Sequence, residues 1–117
     1  MGDTTKGATN MANYVFIETR DPFESRDTEF LEETAVAVKE RGHNVTVFLV
    51  QNGVLAARKT ARRLGRLAEA GVTLLADDLS LRERGINSDD LAPSVNESGI
   101  DVLVDAIAQE NTKAIWH

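Results

Sequence analysis

The chain has 117 residues, room for one hydrophobic core, and its 42% hydrophobic and 27% charged content is that of an ordinary globular domain. A net charge of −6 argues against general nucleic-acid binding, which needs an excess of Lys and Arg to neutralise phosphates. There is no cysteine, which removes disulfides, thiolate metal sites and thiol nucleophiles together, and no apolar run approaches the roughly 20 residues that span a bilayer.

Residues 1–12 are polar and without periodicity, so they read as a loose leader to a single domain over 13–117. The same stretch lacks the apolar centre of a secretory signal, and the cytoplasm is the default location. Tyr14-Val-Phe-Ile-Glu18 is a short apolar run rich in β-formers and predicts a buried strand. Asp21-Pro22-Phe-Glu24 predicts a helix start, with Asp21 as cap and Pro22 in the first turn; Ser25 is a rival cap. Phe30, Leu31, Thr34, Ala35 and Val38 form one stripe at helical spacing, and Gly42 ends the helix. His43, alone and without a cysteine or histidine partner, reads as structural.

Asn44-Val-Thr-Val-Phe-Leu-Val50 is the clearest strand in the chain. Gln51-Asn52-Gly53 leads from it into a predicted long helix over about 54–70, with Val54, Ala57, Ala61, Leu64 and Ala68 inward and Gly71 as the stop. Val72-Thr-Leu-Leu-Ala76 predicts a third strand, and Asp77-Asp78 opens a short helix closed by Gly85. Leu91-Ala-Pro-Ser-Val95 predicts a fourth, weaker strand because Pro93 cannot donate to a ladder. Ser98 is the expected cap of a helix carrying Ile100, Val102, Leu103, Val104, Ile107 and Ala108, and Thr112-Lys-Ala-Ile-Trp116 is a terminal strand. His117 follows it and reads as terminal and mobile.

Strands alternating with helices, and apolar through their length, indicate a parallel sheet covered on both faces: a three-layer α/β/α fold. Strand order does not follow from the pattern. In such sheets ligands bind beyond the carboxyl ends of the strands. Those ends carry Glu18, Arg20, Asn52, Gly53, Asp77, Asp78 and, one turn on, Ser80. Asp77 or Asp78 reads first as a helix cap, with ligand or partner binding, acid–base work or Mg²⁺ binding as the alternatives. Asn52-Gly53 reads as a turn whose glycine permits a positive φ, or as a lining of the same pocket. Arg58, Lys59, Arg62, Arg63 and Arg66 project from one side of the predicted second helix. They read as a solvated face, as ion pairs with Glu29, Glu32, Glu33 and Glu40 of the first helix within or between subunits, or as a docking site for an acidic partner or an anionic ligand. No residue set identifies itself as catalytic, and neither a metal site nor a cofactor is expected.

Three patterns lie in order along the chain: Pro22-Phe-Glu-Ser25; Gly42-His43 through Phe48-Leu49 to Gly53-Val54; and Ala76-Asp-Asp-Leu-Ser-Leu-Arg-Glu-Arg-Gly-Ile86. With the closing Lys113-Ala-Ile-Trp116, this order resembles the DsrE/DsrF-like family of sulfur-relay proteins over essentially all of residues 12–117. The resemblance implies a five-stranded, mainly parallel sheet and assembly into trimers or hexamers, sometimes with related subunits. It also implies, in the sulfur-transferring members, a cysteine just after the third strand that accepts and passes on persulfide sulfur. That position matches Asp77 here, and a second cysteine of some relatives matches Ser80. A carboxylate at Asp77 keeps a thiolate's charge and loses its nucleophilicity. The functional expectation is therefore a binding or assembly module without the relay thiol, with a sulfur-transfer protein as a possible partner. The alternative is an enzyme using Asp77, Glu18 and Arg20 on a small anionic substrate.

Overall fold

The computed structural model describes residues 11–117; the expected leader over 1–12 lies almost wholly outside them. Runs of β-branched and aromatic residues become the strands β1 (Asn13–Glu18), β2 (Asn44–Leu49), β3 (Thr73–Asp77), β4 (Val95–Ser98) and β5 (Thr112–Trp116). All five pair in parallel in the order β4-β3-β2-β1-β5. The helices are α1 (Asp27–Glu40), α2 (Gly65–Glu69), α3 (Asp78–Glu83) and α4 (Ile100–Ala108).

The order explains how the faces are covered. From β1 through β4 each step moves the same way across the sheet, and the last connection returns to the far side of β1. Right-handed crossovers then put the first three connections on one face and the fourth on the other. The core divides accordingly. Phe16, Val47, Leu49 and Leu74 pack with Leu31 and Ala35 of α1, Leu67 of α2 and Leu81 of α3. Val15, Ile17 and Phe48 point the opposite way and meet Leu103 of α4. One face thus carries three helices and the other a single nine-residue helix.

Several local expectations are corrected. The first helix starts at Asp27, because Asp21 satisfies a tight turn instead: its carboxylate accepts Phe23 N–H at 2.8 Å and its carbonyl accepts Ser25 N–H at 3.0 Å. Phe30 is 70% exposed, since the buried stripe centres on Leu31 and Ala35. The long helix over 54–70 does not form. A 3₁₀ segment (Gln51–Ala57) leads to an extended Arg58 that bridges Leu91 in antiparallel fashion, and Arg62 sits at φ 54°. Lys59 N–H reaches Asp90 O and Ala92 N–H reaches Ala57 O, both at 2.8 Å. These tertiary partners replace intrahelical ones, and helix propensity is too weak a preference to resist them. Val54, Ala57 and Leu64 are still buried as expected.

The fourth strand begins at Val95 rather than Leu91, after Pro93, and pairs Val95–Ser98 with Leu74–Asp77. Ser98 does not cap the following helix: its hydroxyl donates to Gly99 O, and Gly99 occupies the cap position. Gly42 and Gly85 end their helices at φ 92° and 67° as anticipated.

Candidate functional site

Asp77 is the last residue of β3 and the N-cap of α3. It is 6% exposed, and its Oδ2 accepts the Ser80 N–H at 3.0 Å and the Ser80 hydroxyl at 2.6 Å. Ser80 Oγ in turn accepts the Gln51 N–H at 2.8 Å. The carboxylate therefore fills a structural role at the helix start, where an anion is favoured by the orphan N–H groups and the helix dipole. Asp78 points outward and pairs loosely with Arg82 at 4.0 Å, a half-exposed contact worth little.

The turn after β2 is built differently from expectation. The positive φ of 52° falls on Gln51, not on Gly53. Gly53 is required for space: a Cβ there would lie 2.2 Å from the Glu18 carbonyl oxygen. Asn52 Oδ1 accepts from Nε and Nη2 of Arg84, each at 3.1 Å, while Arg84 Nη1 donates to Ser80 O at 3.1 Å. Arg84 thus clamps the turn to α3; the sequence marked it only as part of the family pattern and not as a site residue. Asn52, Ser80 and Asp77 come together through this network.

Glu18 stands apart from it. Its carboxylate is buried and accepts the Arg20 N–H at 3.1 Å; both its oxygens lie within 3.0 Å of His117 Nδ1. Contrary to expectation, His117 is held. Its N–H donates to Ile17 O at 2.8 Å and its carbonyl accepts from Thr19 N–H and Oγ. The partner's position is what made this invisible: residues 99 apart in sequence meet only because β5 pairs with β1. Glu18 ends β1 beside β5, whereas Asp77 ends β3 and is held by Ser80 of α3. No hydrogen bond or ion pair among the described residues links the two carboxylates. His43 is structural, accepting Ala12 N–H at 3.0 Å and lying edge-on to Tyr14.

The five basic residues do not form a helical stripe, because the helix that would align them is absent. Arg58 Nε donates to Leu55 O, and Arg63 Nη2 donates to Pro22 O at 3.0 Å. Both guanidinium groups stack on Phe23, at 5.7 and 5.1 Å from its ring centre. Arg66 approaches Glu32 of α1 at 3.7 Å, the one expected pairing with the first helix that is seen. Arg62 is exposed.

Among the described residues no three His, Asp or Glu side chains gather as a metal site would require, and no helix is long and apolar enough to cross a membrane. Chain order, an all-parallel five-stranded sheet and a turn-and-cap network after β2 and β3 define an α/β domain of one particular architecture. Solved structures share it. The ychN protein from E. coli superposes with a TM-score of 0.82 at 17% identity, covering 92% of this chain and 100% of its own. A protein of unknown function from Methanobacterium thermoautotrophicum gives 0.75 at 23%, covering 91% and 99%. One from Bacteroides thetaiotaomicron gives 0.72 at 19%, covering 91% and 95%. No curated protein matches. The sequence profile of the DsrE/DsrF-like family matches residues 12–113, and the chain belongs to that family.

Proposed function

We propose that this chain is an assembly module of the DsrE/DsrF-like family, a subunit that associates with copies of itself into a trimer or hexamer and carries no relay thiol of its own. The observation that carries the reading is α4. Its only charges are Asp101 and Asp105, so it is apolar almost all round, yet Leu103 alone is buried. A helix of that composition belongs in an interior. Val104 and Trp116 are 59% and 69% exposed, and Trp116 is in register with Ile17 and so lies on the same side of the sheet as α4. Large exposed apolar patches mark association surfaces.

The absence of the thiol is supported by chemistry at one position: Asp77, where the family resemblance places the sulfur-accepting cysteine, is occupied in capping α3. Any part in sulfur transfer would then run through a partner protein's cysteine, with this subunit as scaffold. A cytoplasmic setting belongs to the same reading, and fractionation of cells making the tagged chain tests it. The enzyme reading has one observation in its favour, the buried Glu18–His117 pair, but Asp77 is held separately by Ser80 and shares no partner with Glu18 among the described residues.

Sedimentation of the purified chain tests the assembly. The expected result is a trimer or hexamer that Val104→Asp dissociates while the circular dichroism stays native. A monomer at all concentrations, capturing no family subunit, sinks the proposal.

A further inference from the structure

A narrow cleft of about 40 Å³ opens on the three-helix side of the sheet, between α1 and the irregular segment 58–64. Its floor is the core itself: Leu31, Val47, Leu49, Leu64 and Leu67. Its mouth carries Glu18, Arg20, Thr28, Glu29, Glu32 and Arg63. Apolar walls with a few converging polar groups are the usual make-up of a small-molecule site.

The state of each mouth group decides what fits. Glu18 has both carboxylate oxygens on His117. Arg20 is paired with Asp27 at 2.7 Å. Burial raises the Glu32 carboxyl above its ordinary pKa, against the opposing pull of Arg66 and Arg63. Glu29 is exposed. Arg63 is the exception. It is half-buried and held in position by Phe23 and the Pro22 carbonyl, yet no carboxylate lies within 4.0 Å of it among the described residues. Among the described residues only one of its N–H groups is used, in a planar fork that suits a carboxylate.

We propose that this cleft binds a small monocarboxylic acid with a short apolar tail, the tail lying on Leu49, Leu64 and Leu67 and the carboxylate on Arg63. Lining residues fix the shape and Arg63 fixes the polarity of the head group. The surface is separate from the α4 face, so the two proposals stand or fall independently.

The test compares three probes that share a tail and differ in head group: hexanoate, hexylamine and hexanol, each titrated into the ¹⁵N-labelled chain. Hexanoate is expected to give saturable amide shifts confined to residues 18–32 and 47–67, with an affinity at least tenfold above that of the other two. Arg63→Gln, checked for a native spectrum, should remove that preference while Arg62→Gln leaves it. Equal or better binding of hexylamine, equal binding of all three, shifts outside the cleft, or no saturation with hexanoate overturns the proposal. The head-group comparison on the unmodified chain decides the matter even where the Arg63 variant fails to fold.

Discussion

Asp77 shows how one residue can be read correctly in chemistry and still leave function open. A carboxylate before a short helix is a cap, and both Ser80 contacts confirm that use. Asp77→Ala removes the acceptor and leaves the Ser80 N–H and hydroxyl buried without it, a cost of about 1–2 kcal/mol. Urea unfolding measures this, and a change below the error of the method would mean the cap is idle. Glu32 makes a different prediction. Its raised pKa means that the folded chain holds the proton more readily than the unfolded chain, so stability falls as pH rises through that window. The cost is absent below the ordinary value of 4.5 and fully present above the folded-state pKa. Glu32→Gln should therefore stabilise the chain at neutral pH, and the gain should vanish below pH 4.5. The variant also gives up the ion pair with Arg66, which is largely exposed on the arginine side and offsets little of this. A gain of the same size at both pH values would show that ionisation is not its source.

At the scale of elements, periodicity served well where an element is held by its own sequence and failed where a distant segment competes for its backbone. β2 was legible from its nearly continuous run of β-branched and aromatic residues, and α1 from an apolar stripe at helical spacing. The stretch after Ala57 was not, since its N–H and C=O groups are taken by residues 90–92. α4 was predicted as a helix from the same kind of stripe, but which of its apolar residues face inward is a tertiary matter. Leu103→Ala should cost about 2–5 kcal/mol, because it empties the contact with Val15, Ile17 and Phe48. Val104→Ala, one residue along, should cost within about 0.5 kcal/mol in dilute protein. Thermal or urea unfolding of both variants at low concentration checks the contrast, and equal losses would place Val104 in the monomer core.

For the whole molecule, the decisive feature is asymmetry between the faces of the sheet. Three helices bury one side, while the other relies on nine residues of α4 and leaves Trp116 on β5 in water. The return of the chain across the sheet before β5 forces this, because only one connection is left for the second face. The proposed association there would stabilise the folded state by mass action. The sedimentation result thus has a thermodynamic counterpart: the unfolding midpoint should rise with concentration in the unmodified chain and stay flat in Val104→Asp.

By itself the sequence determined the fold class, four of the five strands to within a residue, the capping aspartate and the absence of a relay thiol, since each depends on residues close together in the chain. Strand order, the Glu18–His117 pair, the Arg84 clamp on Asn52 and the stacking of Arg58 and Arg63 on Phe23 were decided only by tertiary structure. Local pattern reports which way a side chain points along its own element. It carries no information about which distant element arrives to meet it, and that meeting is what makes a site.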